Sequence, residues 1–321
     1  MTWTLFMNNT KATPSKLKAW ILAARPKTLS GALIPVIVAS ALAWRDSTFR
    51  LVPALYCAIF AALMQIAANF INDLYDFRRG TDGADRLGPE RACAQGWISP
   101  RAMGYGIAIV LFFAAFIGIA IVISSGAWID FEYDVITIKW SNVLWLCAIG
   151  IACFIFAFLY TTILSYMGGG DILVYVFFGF VPVLGTYYVQ ALRLTADAWW
   201  AAAACGLVID TLLIINNYRD RDTDKVSGKR TLISIFGERF GSISYLAHGI
   251  LAVMAGIIPI CPSMPGEAWS ALIPALYLVP HVMTWKKMIK IRSGKELNRI
   301  LGETSRNMLL FAILLSIAYC L

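Results

Sequence analysis

Charge is what this 321-residue chain has least of: Asp, Glu, Lys and Arg together make up 14% of it, against about a quarter in an average globular domain. Hydrophobic residues make up 59% and the mean hydropathy is +0.70, so there are too few charges to cover a soluble surface. Histidine is almost missing. His248 and His281 are the only two, which leaves no imidazole series for haem or a proton relay, and ordinary packing is expected of each. The cysteines at 57, 93, 147, 153, 205, 261 and 320 form no CxxC pair and read as small apolar residues, not as a metal or disulfide frame. There is no Pro- or Ser-rich linker, and no short apolar core with an A-x-A cleavage site at the N-terminus. The chain therefore reads as a single transmembrane domain over 1–321, with 1–19 as a cytoplasmic tail and the first span as its own insertion signal.

What is present is a set of long runs without charge. A span needs about 20 predominantly apolar residues, and nine candidates follow: Thr28–Trp44, Leu51–Ile71, Met103–Ile129, Ser141–Ser165, Ile172–Leu192, Ala198–Asn217, Phe240–Ile260, Ala268–Trp285 and Asn307–Leu321. The fold class is all-α, nine membrane helices. Of the 27 Lys and Arg, 23 fall on one side of this alternation, and Arg45, Arg50, Lys139 and Arg193 on the other. Cytoplasmic loops retain the basic excess, which predicts a cytoplasmic N-terminus and an outside C-terminus in an inner, cytoplasmic membrane. No nucleic-acid partner is expected; the lipid bilayer is. Trp44, Trp128, Trp140, Trp199, Trp200, Trp269 and Trp285 stand near run ends, where interfacial anchoring accounts for them.

Two polar knots interrupt this pattern at cytoplasmic ends. Asn69, Asn72, Asp73 and Asp76 lie three or four apart and share one face if the second helix persists. Asn216, Asp220 and Asp224 form an i, i+4, i+8 ladder at the end of the sixth run. Aligned, Asn72 pairs with Asn216, Asp73 with Asn217, Asp76 with Asp220 and Gly80 with Asp224, as one motif used twice. Carboxylates so spaced repel each other, and a shared cation resolves the repulsion. Hard oxygen ligands without His or Cys suit Mg²⁺, which takes one or two protein carboxylates and completes its shell with water and phosphate oxygens. Basic residues follow both knots, so the implied ligand is a diphosphate with an apolar tail. Solvated turns with Arg–Asp pairs are the plain alternative. Asp210, seven residues before Asn217, either lines the polar cavity or is protonated.

These residues resemble the UbiA superfamily of intramembrane prenyltransferases, whose motifs are NDxxDxxxD and DxxxD. Asn72, Asp73 and Asp76 match the first, whose last Asp is Gly80 here with Asp82 two residues on; Asp220 and Asp224 match the second. Stretches Trp20–Leu29, Asn69–Ile98, Gly169–Gln190 and Asn216–Leu232 look most like the branch that prenylates 1,4-dihydroxy-2-naphthoate, although the loop after Tyr160-Thr161-Thr162 is shorter than that branch's. The resemblance implies nine helices around a central cavity and transfer of a polyprenyl group from polyprenyl diphosphate to 1,4-dihydroxy-2-naphthoate, with loss of CO₂ and diphosphate, giving demethylmenaquinol for menaquinone biosynthesis. It implies Mg²⁺ on the catalytic carboxylates Asp73, Asp76, Asp220 and Asp224. Asn72, Asn216 and Asn217 would orient metal or phosphate, Arg78, Lys229 and Arg230 would contact diphosphate, and Arg25 would pair with the acceptor carboxylate. The aromatic run Tyr175, Phe177, Phe178, Phe180, Tyr187 and Tyr188 would face the developing allylic cation or the prenyl tail, with a lipid-facing or core-packing stripe as the plain alternative. Two rivals stand beside this reading: another aromatic acceptor such as 4-hydroxybenzoate, and a cation-coupled transporter with polar groups within its spans.

Overall fold

The computed structural model describes residues 14–80, 87–132, 135–162, 168–260 and 268–321. Asp82 and the first thirteen residues of the expected tail lie outside them. A short helix, α1 (Lys16–Ala24), starts at Ser15, whose hydroxyl accepts from Lys18 N. It therefore occupies the end of the segment expected as a tail. Its Trp20 packs on Phe70 with ring centroids 5.3 Å apart and lies where a Cβ on Gly106 would stand.

The long helices follow: α2 (Pro26–Arg45), α3 (Leu51–Arg79), α4 (Pro100–Ser125), α5 (Trp140–Thr162), α6 (Gly170–Val174) running through a wider π-turn at 175–180 into α7 (Val181–Ala191), α8 (Ala196–Val226), α9 (Leu232–Ile257) and α12 (Leu297–Cys320). Their starts carry the residues that satisfy first-turn amides: Ser99 Oγ accepts from Ala102 N at 3.2 Å, Thr195 Oγ1 from Ala198 N at 3.3 Å, and Thr231 and Ser234 cap each other reciprocally. The only strands among the described residues are the hairpin β1 (Ile129–Glu132) and β2 (Val135–Ile138) between α4 and α5.

Eight helices among the described residues are long and apolar enough to cross a membrane, which makes the protein multi-pass. The ninth expected run is present but is not one unbroken helix. The run Ala268–Trp285 is not one helix but a 3₁₀ turn at Ala268–Ala271, a single turn α10 (Leu272–Ala275) and α11 (Leu278–Ile291). Pro274 and Pro280 are the cause: each removes an amide donor and crowds the preceding turn, and i→i+3 bonds such as Tyr277 N to Pro274 O take over.

The helices enclose a cavity of about 1690 Å³ bounded by α2, α3, α4, α5, α6–α7, α8 and α12. The main core lies beside it, where α2, α7, α8, α9 and α12 bury Ile34, Leu42, Tyr187, Val208 and Phe311. The π-turn at 175–180 packs closely on α8. A Cβ on Gly179 would come within 2.8 Å of Ala202 O and Gly206 Cα, and one on Gly206 within 2.9 Å of Tyr175. At the end of the bundle away from the knots, Arg45 joins Asp46 at 2.9 Å, Asp197 at 2.6 Å and Pro259 O at 2.9 Å, and Tyr187 donates to Asp46.

With 29 and 31 residues, α3 and α8 are about 43 and 46 Å long at 1.5 Å per residue, well beyond a hydrocarbon core of about 30 Å. The surplus turns at their C-termini are those that carry the knots.

Candidate active site

Both knots remain helical, so position on the helix decides which side chains meet. Residues four apart are offset by about 40°, while the next residue along is turned by about 100°. Asn72 and Asp76 on α3 and Asn216, Asp220 and Asp224 on α8 all line the cavity mouth, and Gly80, in the left-handed conformation that ends α3, lines it too. The residues one step on, Asp73 and Asn217, do not line the large cavity.

Asp73 is buried, and its two oxygens accept the backbone amides of Ala92 and Cys93, each at 2.9 Å. This carboxylate ties the segment after α3 to the helix instead of facing the site, unlike the role the motif match implies. Asn217 borders a small separate recess beside Asp171 and Lys229.

Four carboxylates line the cavity, Asp76, Asp220, Asp222 and Asp224; Asp222 is exposed, 3.9 Å from Arg221, and the three at the motif positions each stand by a cation. Asp76 Oδ2 accepts from Arg91 Nη2 at 2.7 Å. Asp220 is held by the fork of Arg219, Nε to Oδ1 at 2.7 Å and Nη2 to Oδ2 at 2.5 Å. Asp224 Oδ2 is buried, accepts no hydrogen bond, and lies 3.8 Å from Lys229 Nζ. Arg91, Lys229 and Arg219 all line the cavity, and Arg219 also reaches Asn216 Oδ1 at 2.8 Å.

Arg91 and Arg219 were not among the sequence candidates. Both read as generic topology charges, and only a signal joining position 76 to 91 would have found the first. Arg78 instead stacks over Tyr75 at 5.8 Å, and neither it nor the exposed Arg230 lines the cavity. Arg25 does, from a left-handed kink (φ 51°) between α1 and α2. Asn69 holds that junction, donating to Ala24 O at 2.9 Å and Thr28 Oγ1 at 3.1 Å.

Beyond the mouth the lining is apolar: Phe60, Phe154, Phe156, Phe177 and Phe178 are prominent, and Phe156 packs on Phe177 at 4.5 Å. The expected aromatic run does not act as one stripe, because the π-turn rotates its members apart. Tyr175 turns toward His248 at 6.0 Å, Phe180 packs on Trp199 at 5.8 Å, and Tyr187 is buried against Asp46.

Asp210 is fully buried and does not line the cavity; His248 Nε2 lies 3.3 Å from its Oδ2, so that histidine is more than filling. His281 does pack as expected. It lies between Tyr245 and Tyr277, with Nε2 at 3.1 Å from Tyr245 O and Nδ1 at 3.0 Å from Tyr277 OH. A carbonyl only accepts, so Nε2 carries the proton and Nδ1 accepts the phenol.

Among the described residues no three His, Cys, Asp or Glu cluster tightly enough to hold a metal by themselves. The donor set fits a hard cation that shares its shell with a ligand: carboxylates from two facing helices, one with a buried oxygen that takes no hydrogen bond. The partial negative charge at the C-termini of α3 and α8 adds to the attraction for cations.

Known proteins are similar to this chain in sequence and in fold. Residues 32–313 match the model of the UbiA prenyltransferase family. The chain is 36% identical over 228 residues to 1,4-dihydroxy-2-naphthoate octaprenyltransferase of Escherichia coli, covering 70% of each chain. It is 31% identical over 320 residues to the Haemophilus influenzae protein of the same name, covering 97% of this chain and 98% of that one. A solved UbiA homologue from Archaeoglobus fulgidus, bound to GPP and Mg²⁺, superposes with a TM-score of 0.62 at 16% identity, over 94% of this chain and 99% of the other. The apo homologue from Aeropyrum pernix gives 0.63 at 16%, over 92% and 97%. The cavity, its paired acidic helix ends and these matches lead to one conclusion: the chain belongs to the UbiA prenyltransferase family.

Proposed function

We propose that the protein transfers a polyprenyl group from polyprenyl diphosphate to 1,4-dihydroxy-2-naphthoate, releasing CO₂ and diphosphate and giving demethylmenaquinol. The observation that carries this reading is the junction of three carboxylate–cation pairs with a long apolar cavity inside the membrane. That junction suits a ligand with a diphosphate head and a hydrocarbon tail. The relatives named for the octaprenyl reaction support the acceptor and the chemistry, and the A. fulgidus homologue bound to GPP and Mg²⁺ supports the metal.

Asp76, Asp220 and Asp224 would hold Mg²⁺ together with the diphosphate oxygens. When bound, the metal supplies positive charge that offsets the charge growing on the departing diphosphate. Arg91, Arg219 and Lys229 then face phosphate oxygens in the geometry that suits them, and Asn72 and Asn216 orient the head as neutral partners. Asp73 contributes indirectly by fixing the segment that presents Arg91. Arg78, Asn217 and Arg230 stand outside this set, and Arg25 at the cavity wall pairs with the acceptor carboxylate.

The apolar lining keeps water from the allylic carbon, which otherwise would leave as prenyl alcohol. The balance needs no catalytic base at the ring. The allylic C–O bond breaks with its electron pair going to diphosphate, the ring carbon bonds the allylic carbon, and the C–carboxylate bond returns its pair to the ring as CO₂ leaves. Loss of CO₂ takes the place of proton loss in restoring the aromatic ring. The basic excess of the loops supports an N-terminus in the cytoplasm and a site at the cytoplasmic face of the inner membrane.

The test is to offer purified protein in detergent a labelled polyprenyl diphosphate with 1,4-dihydroxy-2-naphthoate or 4-hydroxybenzoate. Decarboxylated, prenylated product from the naphthoate alone is expected. Product from 4-hydroxybenzoate would keep the chemistry and overturn the acceptor, and substrate movement without diphosphate release would indicate a transporter.

A further inference from the structure

The two acidic helix ends are joined by polar contacts and one short stretch of backbone, 87–91, through a residue neither motif contains. Asn298, the second residue of α12, accepts from Arg219 Nη1 through Oδ1 at 2.7 Å. Its Nδ2 donates to Leu87 O at 2.8 Å. A guanidinium only donates and a carbonyl only accepts, so this amide orientation is the one that satisfies both neighbours. On one side Arg219 grips Asp220 and Asn216. On the other, Leu87 opens the segment in which Arg91 reaches Asp76 and the amides of Ala92 and Cys93 bind Asp73. Asn298, Arg219 and Leu87 all line the cavity. The start of α12 is itself anchored: Leu297 and Ile300 are fully buried in a cluster with Ile214, Ile215 and Tyr218 of α8.

We propose that Asn298 is a positioning residue for the diphosphate end of the cavity, acting through Arg219 on the α8 carboxylates and through Leu87 on the segment that carries Arg91. This rests on the prenyl-diphosphate reading above. A side-chain amide is the group the position requires. Aspartate offers Arg219 a competing carboxylate, drawing it off Asp220, and turns an acceptor toward Leu87 O. Alanine leaves the Arg219 Nη1 contact unmade and the two halves of the mouth unlinked. The set spacing of the halves determines how well three carboxylates and their cations close on one diphosphate, a matter of ångströms in such sites. The acceptor carboxylate is assigned above to Arg25, which takes no part in the Arg219–Asn298–Leu87 contacts, so the naphthoate KM serves as the internal control.

The experiment compares Asn298→Ala and Asn298→Asp with Asn307→Ala. Asn307 is on the same helix but outside the cavity, and donates to Thr284 Oγ1 at 2.9 Å and Pro280 O at 3.2 Å. Three quantities are read for each purified protein: the melting temperature without ligands, the calorimetric titration of Mg²⁺ with inorganic diphosphate, and the separate KM values for polyprenyl diphosphate and naphthoate. Both Asn298 variants are expected to weaken the titration and raise the prenyl-diphosphate KM by roughly tenfold, the scale of one charge-assisted hydrogen bond, with the naphthoate KM unchanged. Asn307→Ala is expected to lower the melting temperature and leave both constants alone. The proposal is overturned if the Asn298 variants titrate like the unmodified protein, or if they raise both KM values in step with lost stability. Should the unmodified protein fail to prenylate the naphthoate while the titration still depends on Asn298, the acceptor assignment falls and the role of Asn298 stands.

Discussion

Asp73 and Asp76 are three residues apart on α3 and bond in different directions, Asp73 to the amides of Ala92 and Cys93 and Asp76 to the Arg91 guanidinium at the cavity mouth. One carboxylate builds the wall and the other faces the contents. Because the wall segment also presents Arg91, the first serves the second.

The two substitutions should therefore separate. Asp73→Ala leaves two buried amides without acceptors, a cost of about 1–3 kcal/mol each, and is expected to lower the melting temperature in detergent. Asp76→Asn should leave the melting temperature nearly unchanged while prenyl transfer falls on the order of a hundredfold or more, as when a group facing developing charge is removed. Equal effects of both on activity without loss of stability would place Asp73 among the ligands after all.

How far this was legible in the sequence differs by residue. The apolar runs and the i, i+4 spacing of Asn72–Asp76 and Asn216–Asp220–Asp224 are one-dimensional signals, and they placed both the spans and the cavity-facing stripe. Spacing alone does not say that the segment 91–97 folds over the flank of α3, so Asp73 looked equivalent to Asp76. Arg91, Arg219 and Asn298 depend on partners 15, 79 and 211 residues away or on one adjacent in sequence, and nothing in their local pattern marks them. The run at 268–285 is apolar enough for a span, but hydropathy does not register the breaks that Pro274 and Pro280 introduce into its backbone.

The buried pair on α8 and α9 gives a second contrast. His248 Nδ1 donates to Ser244 O at 2.7 Å, which leaves Nε2 to face Asp210. His248→Ala should strip a fully buried carboxyl of its partner and cost about 3 kcal/mol. Asp210→Asn lets the amide donate to Nε2 and should stay within about 1 kcal/mol of the unmodified protein. Melting curves of the two variants test this, and an Asp210→Asn as damaging as His248→Ala would show that the charge itself is needed.

Glycine substitutions should discriminate close packing from open cavity. Gly179→Ala brings a methyl within 2.8 Å of the α8 backbone, where neither side can yield cheaply, and is expected to cost about 1–3 kcal/mol. Gly185, also helical and on the cavity wall, has nothing within 4 Å of an added Cβ. Gly185→Ala should be neutral or stabilising by up to about 1 kcal/mol. The comparison is again a pair of melting curves, and equal destabilisation would contradict the backbone contact.

The tail should report cavity length. Gly150 on α5 lines the cavity, with open space where a side chain would go. Gly150→Phe is expected to shorten the longest prenyl diphosphate turned over while leaving short substrates at their original rate. Product sizes from a series of chain lengths, read by mass spectrometry, check this; an unchanged product range would place the tail elsewhere.

The most direct test of the whole account is magnesium-dependent diphosphate release from polyprenyl diphosphate in the presence of naphthoate, measured for the unmodified protein and for Asp76→Ala and Asp220→Ala. Release that needs both Mg²⁺ and acceptor, stops with EDTA, and is lost in either variant is the predicted result. Release that persists in EDTA, or in both variants, would contradict the claim that the carboxylates at the cavity mouth hold the metal and the departing diphosphate.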